Sequence, residues 1–248
     1  MKRYKATLSY DGTAYSGWQI QPNGVTVQEK IQQALRELTG EETRVHGSGR
    51  TDRGVHARRQ VAHFDLAGPW SGASLCRGIN ALVPRDIRVI RVVRAAKDFH
   101  ARRSATSKEY RYFVWNAEIQ PPFERNYSAH VTRKLDHDAM AAAASLLVGR
   151  RDFAAFSANP NRPIESTVRN LSELRVARRG ARVVFVAKAD GFLYKMVRSL
   201  VGFLLRVGEG AVEPSRARVI LLSRRRTAGV PTAPPQGLFL WQVDYGAG

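Results

Sequence analysis

The chain has 248 residues, of which 44% are hydrophobic and 25% are charged, a composition typical of a folded globular protein rather than a disordered one. Forty Lys and Arg against twenty-one Asp and Glu give a formal net charge of +19, which indicates a surface that attracts polyanions. The single cysteine, Cys76, excludes an internal disulfide, and no apolar run is long enough to suggest a signal peptide or a membrane span, so we expect a cytoplasmic protein.

The first part of the chain alternates between strand and helix patterns. Polar and apolar side chains alternate over residues 3–10, which predicts a strand. Thr26 and Glu29 have the spacing of a capping box, which opens a predicted helix that ends before Gly40. Strands at 61–66 and 87–93 are then predicted, with a short helix at 75–82 between them.

The rest of the chain continues in the same irregular way. We predict a strand at 110–115, a helix at 136–147, a hairpin of 171–176 with 183–187, a helix at 192–207, a loop at 232–237 and a closing strand at 238–243. Irregular alternation with a hairpin favours an α+β fold with a mostly antiparallel or mixed sheet over a doubly wound parallel one. The predicted boundary near residue 104 divides the chain into halves of 1–104 and 105–248.

The most unusual segment is Gly47–Ala57, with the sequence GSGRTDRGVHA. It fails the dinucleotide fingerprint because Asp52 stands where the third glycine should be, and no Gly-Lys-Ser/Thr follows to make a phosphate-binding loop. Asp52 is left as a carboxylate among arginines, Arg50 and Arg53 being the nearest. It is either a turn former or an ionised nucleophile or base.

Three further side chains each allow a structural and a functional interpretation. Tyr110 and Tyr112 share one face of a predicted strand, as core aromatics or as a platform on which an unpaired base stacks. Arg198 falls at the edge of an apolar helix face, where it either extends to solvent or points into a cleft to pair with a carboxylate. The run Arg224–Arg226 is predicted to be a solvated surface, and the histidines lack the spacing of a metal site.

Five segments together resemble, in the expected order, the motifs of the bacterial synthase A type of tRNA pseudouridine synthases. They are Tyr10-Asp11-Gly12-Thr13-x-Tyr15-x-Gly17-Trp18-Gln19, Gly49-Arg50-Thr51-Asp52-x-Gly54-Val55-His56-Ala57, Phe99-His100-Ala101-Arg102 with Ser104-Ala105 and the strand of Tyr110, Phe192-Leu193-Tyr194-Lys195-Met196-Val197-Arg198, and Gly237-Leu238-Phe239-Leu240. The resemblance therefore covers nearly the whole chain.

The resemblance implies a fold and an activity. The expected fold is the pseudouridine synthase fold, in which two related ferredoxin-like halves share a mixed or antiparallel central sheet with helices packed on it. Residues 1–104 would carry the catalytic Asp loop, and 105–248 would complete the cleft. The expected reaction is the isomerisation of uridine to pseudouridine at positions 38–40 of the tRNA anticodon stem-loop, by a homodimer that needs no metal and no organic cofactor.

The resemblance also implies a role for each candidate residue. Asp52 would be the essential carboxylate, Tyr110 would stack on the target base, and Arg198 would pair with the carboxylate. Arg50 would help to extrude the base or fill the space that it leaves, and Leu240 would form an apolar wall of the uracil pocket. Whether Asp52 attacks C1′ or C6 or removes a sugar proton stays open. Relatives often carry more basic residues where this chain has Lys108-Glu109.

Two other functional classes remain at this point. A non-catalytic RNA-binding protein would share the basic surface and the exposed aromatics, but an acidic residue within a basic loop would weaken its phosphate contacts. A nucleotide-dependent RNA enzyme such as a methyltransferase would share the substrate but would require an added cofactor.

Overall fold

The computed structural model describes residues 1–158 and 165–246, which form two compact units. The first unit comprises Met1–Thr106 together with residues 239–246, and the second comprises Ser107–Leu238. The junction at Thr106 lies beside the boundary expected near residue 104. The closing strand, expected in the second half, belongs instead to the first unit because its hydrogen-bonding partner there is a strand far away in sequence.

The described residues contain ten strands, five α-helices and three short 3₁₀ turns. In chain order the strands and helices are β1 (Lys2–Tyr10), α1 (Val27–Thr39), β2 (His46–Gly47), β3 (His56–Leu66), α2 (Gly72–Leu82), β4 (Ile87–Arg94), β5 (Ala105–Trp115), β6 (Ala129–His130), α3 (His137–Ser145), β7 (Gly149–Asp152), β8 (Val168–Arg179), β9 (Arg182–Ala189), α4 (Met196–Gly208), α5 (Arg216–Ser223) and β10 (Leu238–Tyr245). This content confirms the predicted α+β fold.

In the first unit the strand order is β4-β1-β3-β10, with β2 also paired to β3. The alternation seen in the sequence places Tyr4, Ala6, Leu8 and Tyr10 of β1 in the core, where each is at most 4% exposed. β1 is antiparallel to β3 and β4, whereas β10 runs parallel to β3 and pairs Leu240 with Ala57. The sheet of this unit is therefore mixed, and β10 lies along the first residues of β3.

Helix α1 begins and ends where its sequence predicts. The Thr26 side chain accepts a hydrogen bond from the Glu29 amide, and the Glu29 carboxylate accepts one from the Thr26 amide, so the capping box is closed. Gly40 terminates the helix with a φ of 72°, a left-handed conformation that glycine adopts without steric cost. Ile31, Ala34 and Leu35 face the core.

In the second unit the strand order is β5-β9-β8-β7, with β6 paired in parallel to β5. The predicted hairpin is confirmed, since β8 and β9 are antiparallel and turn at Gly180 with a φ of 58°. The core of the unit includes aromatic side chains in edge-to-face contact, among them Phe153, Phe156 and Phe203 of α4.

Several elements of this unit differ from the prediction. α4 begins at Met196 and not at Phe192, because Lys195 has a left-handed φ of 57° that interrupts the helix. β7 follows the helix predicted at 136–147 and was not predicted as a strand. α5 was not predicted either, because its sequence has little helical periodicity. Pro235–Gly237 forms a 3₁₀ turn within the predicted loop.

Candidate active site

Asp52 lies in the loop between β2 and β3, and its side chain is half-buried. The Val55 amide donates a hydrogen bond to the Asp52 carbonyl (3.1 Å), and Gly54 has a φ of 76°, so the chain turns tightly immediately after the carboxylate. No helix follows the loop, as predicted, because β3 starts at His56. A tight turn and a half-buried carboxylate are thus both present at the same residue.

A second loop, residues 11–18, holds the Asp52 loop by backbone contact. The Trp18 amide donates to the Thr51 carbonyl (3.1 Å), and the Gly54 amide donates to the Tyr15 carbonyl (3.3 Å). A Cβ atom at Gly12 would lie 2.1 Å from the Val55 carbonyl oxygen, and one at Gly17 would lie 2.4 Å from that of Thr51. The approach is therefore too close for any side chain at either glycine.

A network of buried polar side chains also contacts the Asp52 loop. Ser48 Oγ donates to Gln60 Oε1 (2.6 Å), and Gln60 Nε2 donates to the Gly49 carbonyl (3.0 Å). The Tyr10 hydroxyl lies 2.9 Å from Thr51 Oγ1, and burial raises the pKa of Tyr10 to about 12, so that its proton is retained at neutral pH. These contacts fix the residues on either side of Arg50 and immediately before Asp52.

Sequence reasoning did not identify Ser48 and Gln60 as members of the site. Both are completely buried polar residues. A buried polar residue gives no local signal in the sequence, because its hydrogen-bonding partners are not its neighbours along the chain. Only their positions, one inside the Gly47–Ala57 segment and one in the following strand, connect them with Asp52.

Arg50 and Leu240 occupy contrasting positions in the first unit. Arg50 is exposed and lies two residues before Asp52 in the same loop. Leu240 is fully buried on β10, opposite Ala57 of β3. The preceding residue of β10, Phe239, stacks on the His56 ring with centroids 4.5 Å apart, and the His56 Nδ1 atom accepts a hydrogen bond from the Gly12 amide (3.0 Å).

Tyr110 lies on β5 in the second unit and is 8% exposed. Its ring packs edge-to-face on Phe192, with centroids 5.1 Å apart and an interplanar angle of 84°. Tyr112 is on the same face of β5, as predicted, and its hydroxyl donates to the Pro234 carbonyl (2.8 Å). Burial raises the pKa of Tyr112 above its usual range.

Arg198 lies in the first turn of α4 at the edge of the apolar face, as predicted, since Val197 and Ser199 on either side are buried while Arg198 is half-buried. Its guanidinium Nε donates to the Ala233 carbonyl (2.7 Å), and its own carbonyl accepts from the Ala233 amide (3.0 Å). The guanidinium is therefore oriented by the backbone of the segment that precedes β10.

The five candidate residues divide between the two units. Arg50, Asp52 and Leu240 belong to the first unit, and Tyr110 and Arg198 belong to the second. Around the Asp52 loop the exposed side chains are strongly basic: Arg50, Arg53, Arg58 and Arg59. Over residues 1–158 and 165–246 there is no group of three or more His, Cys, Asp or Glu that could hold a metal ion, and no helix long and apolar enough to cross a membrane.

The chain matches the family model described as "tRNA pseudouridine synthase" over residues 6–102 and 143–246. The "tRNA pseudouridine synthase A" of Rhodospirillum rubrum is 44% identical, over 99% of this chain and 88% of its own length. That of Geotalea uraniireducens is also 44% identical, over 99% of this chain and 100% of its own. The "tRNA pseudouridine synthase A 2" of Clostridium perfringens is 40% identical, again over 99% and 100%. Arg50, Asp52, Arg198 and Leu240 lie within the matched segments, and Tyr110 lies between them.

Proposed function

Because this chain belongs to the tRNA pseudouridine synthase family, we propose that it converts uridine to pseudouridine in tRNA and that Asp52 is its catalytic carboxylate. The observation that carries the proposal is the way in which the first unit holds Asp52. The residues around it are fixed by two close glycine contacts and a buried polar network, while Asp52 itself is only half-buried. Such rigid support is what a reacting group requires.

The reaction breaks the bond between N1 of uracil and C1′ of the ribose, turns the base, and forms a bond between C5 and C1′. The C5 proton then leaves, and N1 gains a proton, so the product is an isomer of the substrate. An ionised carboxylate can attack C1′ or C6 or remove a sugar proton, and each of these steps requires Asp52 to lie against the nucleoside.

A base inside a stem must first leave the stack, at a cost of a few kcal/mol. In our proposal Arg50 assists this step, since it is exposed beside Asp52. Tyr110 stacks on the extruded base, Leu240 closes the apolar side of the uracil pocket, and Arg198 pairs with the Asp52 carboxylate. The edge-to-face contact with Phe192 and the hydrogen bond to the Ala233 carbonyl support these roles, because they hold Tyr110 and Arg198 in fixed orientations.

The resemblance to the synthase A type supports a more specific proposal. The substrate is uridine at positions 38–40 of the anticodon stem-loop, the active species is a homodimer, and the reaction takes place in the cytoplasm without an added cofactor. The high net positive charge is suited to an RNA substrate.

The test compares Asp52→Asn with the wild type on unmodified tRNA, without any added cofactor. Asp52→Asn removes the charge but keeps the size of the side chain, so we expect the rate to fall by at least about 10³-fold. The affinity for tRNA should stay within about threefold, because phosphate contacts from basic residues dominate binding. Product is measured as pseudouridine at nucleotide resolution, and affinity is measured by filter binding.

Asp138→Asn is the matched control, because Asp138 is fully exposed and its removal changes the net charge by the same amount. It should leave both rate and affinity unchanged. Turnover by Asp52→Asn at more than a tenth of the wild-type rate would contradict the catalytic assignment. A wild-type protein that binds tRNA but forms no pseudouridine, or that requires a methyl donor, would contradict the proposed activity itself.

A further inference from the structure

Arg226 differs from its two neighbours in the run of three arginines that was predicted to be solvated. Arg224 and Arg225 are exposed, but Arg226 is half-buried, and burial lowers the pKa of its guanidinium. Its Nη1 atom donates to Ser199 Oγ (2.7 Å), and its Nη2 atom donates to the Val230 carbonyl (2.9 Å) and to Thr232 Oγ1 (2.7 Å). Over residues 1–158 and 165–246 no carboxylate pairs with this cation, so it gives up hydration to neutral acceptors alone, which points to a geometric role.

The three acceptors of Arg226 join two pieces of the second unit. Ser199 is on α4 directly after Arg198, whereas Val230 and Thr232 lie in the segment 230–233 that runs alongside that helix. The segment approaches α4 so closely that a Cβ at Gly202 would lie 2.2 Å from the Pro231 carbonyl oxygen. Arg226 therefore bridges the helix and the segment at the place where they are in contact.

The other end of the segment determines the orientation of Arg198. The Ala233 carbonyl accepts the hydrogen bond from Arg198 Nε (2.7 Å), and the Ala233 amide donates to the Arg198 carbonyl (3.0 Å). Ala233 directly follows Thr232, whose hydroxyl is held by Arg226. A displacement of Thr232 is thus transmitted through one peptide bond to the atom that orients the Arg198 guanidinium.

We propose that Arg226 is a positioning residue for the reaction. It holds the segment 230–233 against α4 and thereby orients the guanidinium of Arg198. The inference rests on the role proposed for Arg198 as the partner of the catalytic carboxylate. Arg226 itself does not touch the substrate. Its loss should therefore slow the chemical step and leave tRNA binding almost unchanged.

The experiment measures single-turnover pseudouridine formation and tRNA affinity for Arg226→Met and for the control Arg225→Met, which removes the same charge from the exposed neighbour. We expect Arg226→Met to be about 10- to 100-fold slower than the control, since a misplaced group costs rate at this scale. The two variants should bind tRNA within about twofold of each other, as each loses one surface charge. Equal rates in the two variants, or a loss confined to affinity, would overturn the proposal.

A double-mutant cycle tests whether Arg226 acts through Arg198. In an Arg198→Leu background, the further change Arg226→Met should slow the reaction by less than about twofold, because the guanidinium that Arg226 would orient is already absent. If the two changes instead multiply, Arg226 acts independently of Arg198 and the inference is wrong. Should the proposed function itself be wrong, the wild type would form no pseudouridine, which is a distinct outcome.

Thr232→Val is a second test of the proposal, in which Arg226 itself is unchanged. It removes one acceptor of Arg226 while keeping the shape of the side chain, so it should slow the reaction in the same direction by a smaller factor. Arg226→Lys keeps the charge but replaces the two donating nitrogens of the guanidinium by one, so it should give an intermediate rate. Thermal unfolding of each variant is recorded in parallel, and a rate unchanged in a folded Thr232→Val variant would contradict the proposal.

Discussion

His63 of β3 is a buried histidine that the proposed reaction does not use. Its Nδ1 atom accepts a hydrogen bond from the Ala101 amide (3.1 Å), and its ring lies against His46 and His100, with centroids 5.0 and 4.7 Å away. Burial, with smaller contributions from the charges of His100, His46 and Arg3, lowers the pKa of His63 to about 4, and Asp65 opposes this shift only weakly. The imidazole is therefore neutral in the folded protein at physiological pH.

This depressed pKa predicts that the protein loses stability in mild acid. The unfolded chain protonates His63 near pH 6.5, whereas the folded chain does so only near pH 4. The free energy of unfolding is therefore unaffected by His63 above pH 6.5, and it decreases by on the order of 2 kcal/mol as the pH falls towards 4. Urea unfolding at a series of pH values between 7.5 and 4.5 measures this loss of stability.

His63→Gln should remove this part of the pH dependence, because glutamine does not titrate. His130→Gln is the control, as His130 is exposed on β6. An identical slope of unfolding free energy against pH in the wild type and in His63→Gln would show that another group is responsible.

Among the strands, helices and turns, those set by local sequence patterns were predicted correctly. The alternation in β1, the capping box of α1 and the turn at Gly180 are each set by residues close together in the chain, and all three are confirmed. The start of α4 was placed too early because Leu193 continues the helical spacing of apolar residues, while the left-handed Lys195 leaves no such pattern.

The candidate site was predictable only in part, for a related physical reason. Asp52 was singled out because a carboxylate inside an arginine-rich glycine loop is unusual. The contacts of Gly12 with Val55 and of Gly17 with Thr51, and the hydrogen bonds of Gln60, join segments that only the folded chain brings together. The partnership of β10 with β3 is equally non-local, which is why the closing strand was assigned to the wrong half.

The loop of residues 11–18 gives a prediction at this scale. Gly12→Ala would place a Cβ 2.1 Å from the Val55 carbonyl oxygen, a backbone atom, so the Asp52 loop must shift. We expect a loss of stability of about 1–3 kcal/mol. The single-turnover rate should fall by at least about 10-fold, because the shift displaces the carboxylate. Urea unfolding and pseudouridine formation are measured on the same preparation.

Gly246→Ala is the control in the same unit, since the nearest atom to its Cβ would be 3.8 Å away on Thr106. That variant should match the wild type in stability and in rate. A fully active Gly12→Ala protein would mean that the close approach of the two loops does not determine where Asp52 lies.

For the whole molecule, the dominant feature is charge. An excess of nineteen positive charges is present on a chain whose proposed substrate is a polyanion, and the arginines next to Asp52 are exposed. Electrostatic attraction of this kind brings RNA to the surface, and the neutralised phosphates release counterions. In the proposed function the excess positive charge contributes to tRNA binding, whereas the carboxylate of Asp52 carries out the reaction.

The last prediction concerns the salt dependence of tRNA binding. Each phosphate contact contributes a slope of about −0.9 for a duplex or −0.7 for a single strand in a plot of log affinity against log salt, so several contacts should give about −4 to −8. Arg53→Gln, next to Asp52 and exposed, should lower the steepness by about one contact. Arg36→Gln should leave it unchanged, because Arg36 on α1 pairs with Glu42. A flat salt response, or equal slopes for the two variants, would show that the RNA does not lie over the Asp52 loop.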